Sequence, residues 1–98
     1  MSRAGKHGAV ADRGVEQALI DRWIEPNPNK ASSLDEYWLV GSAVPVWAII
    51  GYLPVVDWEA KAAAKAYHVP IEAIDAAIAY YQRNQRLIDH RIGENATD

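Results

Sequence analysis

Ile71, Ile74, Ile78, Tyr81, Gln85, Ile88 and Ile92 follow one another at alternating steps of three and four. That is the spacing of a packing stripe along one side of an α-helix. No glycine or proline interrupts the run before Gly93, so the pattern predicts one helix of about 33 Å. A second stripe of Ala73, Ala77, Tyr80 and Leu87 lies on an adjoining face. The first half of this helix is therefore apolar on two sides and belongs inside a bundle. From Gln82 onward the stripe is narrow and flanked by Arg83, Arg86, Asp89, His90, Arg91 and Glu94. That half reads as a projection that packs against another molecule, either a second copy or a different protein, the alternative being that it folds back on Trp23 and the N-terminal segment. Gln85 is the polar interruption that would fix the register of such a pairing.

Upstream, residues 46–53 are apolar nearly all round, the mark of a short helix buried on more than one side. A second helix is predicted to start at Asp57, a good N-cap, with Glu59 in the first turn, and to run through an alanine-rich stretch to Tyr67. His68 and Val69 make the turn, and Pro70 sits where the first turn of the next helix tolerates it. Residues 14–24 place Val15, Leu19 and Trp23 at helical spacing, a helix that stops before Pro26. The aromatic, β-favouring residues 37–40 and the β-branched residues 44–46 predict a short ribbon turning at Gly41-Ser42-Ala43, with Pro45 confining its second strand to an edge. The fold class expected is mainly α: a trihelical, helix-turn-helix-like (homeodomain-like) domain with a short N-terminal β-ribbon and a long C-terminal helix. Residues 14–95 form that single domain, between flexible tails at residues 1–13 and 96–98.

At 98 residues, one core can form but leaves much apolar surface for a partner to cover. Lys and Arg number 10 against 13 Asp and Glu, a formal charge of -3, which argues against non-specific binding of nucleic acid. The absence of cysteine excludes a disulfide framework and thiolate chemistry and fits a cytoplasmic protein. The N-terminus lacks the apolar core of a secretory signal. The uncharged residues 38–56 are interrupted by Pro45 and Pro54, and the helix between them, about 12 Å long, falls short of a bilayer of about 30 Å. No membrane span is expected.

Candidate chemistry is sparse. His7, His68 and His90 are far apart, and the His90/Glu94 pair reads as an ion pair on a helix, so no metal site is expected. Ser2, Ser32, Ser33 and Ser42 lie in tail or turns without a His–Asp pattern, and no Gly-rich loop is present. Neither catalytic residues, a cofactor nor a small-molecule substrate is expected. Trp23, Trp38 and Trp47 suit the core or an interface, and Trp58, just inside a helix start, is the tryptophan expected to be partly exposed. A helix-turn-helix would aim Glu72, Ala73, Asp75 and Ala76 at DNA, an unfavourable acidic front for phosphates. Lys61, Lys65, Arg3, Lys6 and Arg13 are the candidate DNA contacts, or the two lysines simply solubilise an alanine-rich helix.

The stretch 41–53, GSAVPVWAIIGYL, resembles the signature of the domain-of-unknown-function 433 family, as do residues 67–74, YHVPIEAI, and 76–81, AAIAYY. Residues 22–28, RWIEPNP, are similar to that family's opening strand, a resemblance that makes the end of residues 14–24 extended instead of helical. The sequence departs from the family at Ala43, where arginine is common, and at Glu36-Tyr37-Trp38, which replaces a Gly-Lys-Pro segment. The resemblance implies an antitoxin that binds and neutralises a cognate toxin, a PIN-like ribonuclease, and binds operator DNA to regulate its own operon. The expected partner-binding residues are Tyr81, Arg83, Gln85, Arg86, Ile88, Arg91 and Ile92, with an arginine of this set plugging the nuclease's acidic site. A homodimer is expected. The alternatives are a stand-alone DNA-binding regulator and a structural homodimer that binds no DNA.

Overall fold

The computed structural model describes residues 8–30 and 32–96, with side chains from Arg13 to Asn95. The chain is mainly helical with one small antiparallel sheet. Helix α1 spans Gly8–Trp23, so residues 8–13, expected as tail, are helical; Arg3 and Lys6 lie outside the described residues. Helix gives way to strand at β1, Ile24–Glu25, because the residue before Pro26 is driven out of the helical region. Both readings of residues 14–24 thus hold in succession.

β1 pairs antiparallel with β2, Trp38–Leu39, in the register Ile24↔Leu39 and Glu25↔Trp38. The expected ribbon turning at residues 41–43 survives only as an isolated bridge between Trp38 and Pro45 on the other edge of β2. There the Leu39 N–H donates to Val44 O at 2.9 Å and the Val46 N–H to Tyr37 O at 3.0 Å. Pro45 has no N–H to extend the ladder, and the turn needs positive φ at Gly41 and Ala43, +88° and +59°. Leu39, fully buried, ties the sheet to the helical core.

Helix α2, Val46–Tyr52, buries Val46, Ile49 and Ile50. A 3-10 turn at Leu53–Val56 follows, and Asp57 and Trp58 are both left-handed, with φ of 54° and 61°. Asp57 therefore does not cap the next helix: α3, Ala60–Tyr67, begins later, with Glu59 at the N-cap position. The tight turn delays it, because the Trp58 N–H is committed to Leu53 O at 2.8 Å. The end of α3 follows expectation. His68 takes φ +57° while His68 N–H donates to Lys65 O and Val69 N–H to Ala64 O, the paired bonds of a Schellman cap.

Helix α4, Ile71–Arg83, is the centre of the molecule, burying Ala73, Ile74, Ala76, Ala77, Ala79 and Tyr80. It packs against α1, α2 and α3, and its alanines let those helices approach closely. The predicted single helix to Ile92 is broken at Asn84, where φ is −133° and ψ is 36°, and α5, Gln85–Ala96, takes a new direction. Asn84 is chemically suited to the break. Its N–H moves to Tyr81 O at 3.0 Å, and its side-chain Nδ2 donates to Tyr80 O at 3.0 Å, the carbonyl its N–H would serve in a continuous helix. The Ile88 N–H then donates to Asn84 O at 3.0 Å to start α5.

α5 folds back on α2 and on the 3-10 turn Leu34–Glu36. Ile88 is fully buried and Ile92 packs against the core. The second half of the stripe is thus part of this chain's own core rather than a projection, which corrects the assignment of Ile88 and Ile92 to a partner. Ile88→Ala is expected to cost about 2–4 kcal/mol in urea unfolding, whereas Leu87→Ala, 44% exposed one residue earlier, should change stability by less than about 0.5 kcal/mol.

Candidate functional site

Folding α5 inward redistributes the expected partner-binding residues. Arg91 Nη2 lies 2.8 Å from the buried Glu36 Oε2, its guanidinium carbon is 5.2 Å from the centre of the Trp47 ring, and Nη1 is 3.8 Å from Glu94. The Arg91 Nε and Trp47 Nε1 are buried without a hydrogen-bond acceptor. Arg91 is therefore an internal cation, held by charge and by the ring face, and is not available to plug a partner's site. Lys30 reaches the same carboxylate at 4.0 Å.

Arg83 is also engaged within the chain. It donates from Nη1 to Gln17 Oε1 and from Nη2 to Arg13 O, with Glu16 at 3.6 Å, clipping the end of α4 to α1. Gln85, expected inside the stripe, is exposed, as is Arg86. Tyr81 is half-buried and donates its hydroxyl to Asp89 Oδ1 at 2.8 Å. Of the seven residues, Ile88, Ile92, Arg83 and Arg91 serve the chain's own packing, and Tyr81, Gln85 and Arg86 remain on the surface.

Tyr81 has a neighbour the helical stripe did not foretell. The Trp58 ring lies 6.4 Å from it, tilted by 36°, and Trp58 is 46% exposed, in accord with its expected place among the tryptophans. Val55, shortly upstream, is 71% exposed. Trp58 sits on the second of two successive left-handed residues, a conformation that costs about 1–3 kcal/mol each for a side-chain-bearing residue. A large aromatic is thus held partly in water on strained backbone, beside a second aromatic.

The start of α4 differs from the expected DNA-facing surface. Glu72 and Asp75 are exposed, whereas Ala73 and Ala76 are buried. Partial burial, and to a lesser degree the neighbouring Glu72, pushes the Asp75 carboxyl above its ordinary value. Lys61 and Lys65 are exposed one turn apart on α3, and Arg13 is exposed on α1. His90 and Glu94 form the expected i,i+4 contact at 3.4 Å. Among the described residues no group of three metal-ligating side chains converges, and no helix is long and apolar enough to cross a membrane.

Known proteins give no further guide. No family model, curated protein or solved structure matches the chain.

Sequence reasoning missed three internal contacts, two that hold the loop between β1 and β2 and one across the strand pair. Tyr80 donates its hydroxyl to Leu34 O at 2.6 Å and stacks on Tyr37 with ring centres 5.5 Å apart, while Trp38 Nε1 donates to Glu25 Oε2 at 3.0 Å. Only the hydrophobic stripe through Tyr80 hinted at the first; nothing local marks Glu36 as a buried acid. Arg91→Ala is expected to lose about 2–3 kcal/mol by leaving the buried Glu36 with only the more distant Lys30. That is below the full cost of orphaning a deeply buried ion, because the Arg91 side chain is 26% exposed. The double variant Glu36→Gln/Arg91→Met should recover most of the loss in the same urea titration.

Burial holds the Tyr80 phenol well above its ordinary value of 10.0, aided by Tyr37 and Asp35. A group whose pKa is raised on folding contributes stability that is complete below its unfolded pKa and is lost as pH rises through the folded one. Stability should therefore fall as pH rises above that ordinary value, and Tyr80→Phe should flatten the fall. Tyr67 and Tyr81, raised in the same direction, leave a residual slope. Urea midpoints across the alkaline range measure both effects.

Proposed function

We propose that this chain is an antitoxin-type interaction protein that binds and neutralises a partner toxin in the cytoplasm through the surface around Trp58 and Tyr81. The observation that carries the reading is the half-exposed Trp58 on a left-handed backbone beside Tyr81. Aromatics held partly in water on strained backbone anchor interfaces. The resemblance to the domain-of-unknown-function 433 family supplies the partner class, a PIN-like ribonuclease. Arg86, exposed at the start of α5, is the arginine of the expected set left to meet that nuclease's acidic site.

The finer fold assignment belongs to the same proposal: α2, α3 and α4 form a trihelical helix-turn-helix. It is supported by the short connection 68–70 and by the packing of α4 on both preceding helices. The function does not rest on DNA, since Glu72 and Asp75 would meet the phosphates first. Co-expression with the product of the adjacent open reading frame tests the reading. The two proteins should copurify and growth arrest should be relieved. Trp58→Ala should weaken the complex by about 2 kcal/mol, roughly thirtyfold in Kd, with the circular dichroism of the free protein unchanged. Full neutralisation by Trp58→Ala would overturn the assignment of this surface.

A further inference from the structure

The stripe Tyr81, Gln85, Ile88, Ile92 is regular enough to predict one unbroken helix, yet the helix breaks at Asn84 alone. No proline, glycine or inserted residue causes the break. Residues 82–87, QRNQRL, are otherwise good helix formers; at the break itself Asn84 makes two bonds, Nδ2 to Tyr80 O and N–H to Tyr81 O, and the Tyr81 hydroxyl spans it to Asp89. In a continuous helix the Asn84 N–H would return to Tyr80 O, so straightening exchanges one set of local bonds for another.

What α5 leaves behind on straightening is specific. Its slot is made by α2 and the turn Leu34–Glu36, and it holds Ile88 at zero exposure, Ile92 against Gly51 and Arg91 on Glu36 and Trp47. An emptied slot would expose apolar surface and leave the Glu36 carboxylate with Lys30 alone, at 4.0 Å. The α5 of another copy is identical, so it fits the same slot in the same way. We propose that Asn84 is a hinge at which α4 and α5 join into one helix, and that two copies of this chain exchange α5, each filling the other's α2 slot. The occupant is fixed by chemistry: a segment that brings an isoleucine pair and an arginine at this spacing to a buried glutamate is present in the chain itself. Exchange of an identical element is a low-cost route to a dimer, since each copy receives from the other the packing that its own α5 has vacated. This dimer is independent of any toxin and leaves Trp58 in place, with the bond from the Tyr81 hydroxyl to Asp89 of α5 made between copies.

The chain contains no cysteine, which makes the test direct. A Cβ built at Gly51 lies 3.9 Å from both Ile92 Cγ1 and Cγ2, so cysteines at these two positions are in reach wherever α5 occupies a slot. The Gly51→Cys/Ile92→Cys chain, oxidised at low concentration, should close on itself and establishes that reach. Gly51→Cys and Ile92→Cys chains, each with Asn84 intact, are then unfolded together in urea, refolded at high protein concentration and oxidised. A disulfide-linked pair containing one of each chain is expected on a non-reducing gel, and is absent when either variant is refolded alone. Asn84→Ala, which removes the side-chain bond and favours the continuous helix, should move the mass in light scattering from monomer to dimer. Co-refolded chains that yield no mixed covalent pair overturn the proposal. So does a dimer of Asn84→Ala whose chains give no mixed 51–92 pair, because it would be joined by another surface.

Discussion

At Asn84 the helical path that begins at Ile71 stops for one residue, and the whole α2 side of the molecule follows from the direction in which it resumes. The turn brings Ile88 into the core and sets Ile92 against Gly51. It also carries Arg91 to Glu36, so an acid in a polar connecting loop can be buried at all. In a chain this short, burial is scarce relative to surface. α5, laid over α2, adds Ile88 to the core and packs Ile92 against it. The asparagine holds the turn because its side chain replaces the backbone donor that the turn removes from Tyr80 O.

Around that return the polar contacts are few and specific. Glu36 is met by Arg91 at 2.8 Å, Tyr80 holds Leu34 O at 2.6 Å, and Trp38 reaches Glu25. All three tie the segment that includes β2 to elements far away in sequence, and each satisfies a group that would otherwise be costly to bury. A buried ion pair is weak evidence for net stability. Its role here is better described as directional, since Arg91 meets both Glu36 and the Trp47 ring where α5 lies.

Much of the helical framework was legible in the sequence. Val46, Ile49 and Ile50 announced α2, Pro70 announced the start of α4, and the turn at His68 and Val69 ends α3 as expected. These signals are local, set by backbone preferences over a few residues. The break at Asn84 was not legible, because Ile88 and Ile92 need burial whether the helix runs on to a partner or folds back on its own chain. Periodicity records which face is apolar and not what covers it. For the same reason Arg83 and Arg91 read as the rim of an interface, although their acceptors, Gln17, Glu16 and Glu36, lie far away in sequence. The capping role expected of Asp57 failed because Pro54 and the bond from Trp58 N–H to Leu53 O tighten the preceding turn. Trp58 was singled out as the exposed tryptophan, and its pairing with Tyr81 across the fold is what turns it into a candidate anchor.

The proposed interaction surface centres on Trp58 and Tyr81, with Arg86 at the start of α5, and leaves out Ile88 and Ile92. That placement depends on α5 lying in its slot with Ile88 and Ile92 covered. Residue-resolved amide hydrogen exchange under native conditions measures this most directly. The account predicts that amides in α5 around Ile88 are protected to a similar degree as those around Ile74 and Ala77 in α4, since both pack in one core. Rapid exchange throughout residues 85–92, with α4 still protected, would show a free helix and contradict the account.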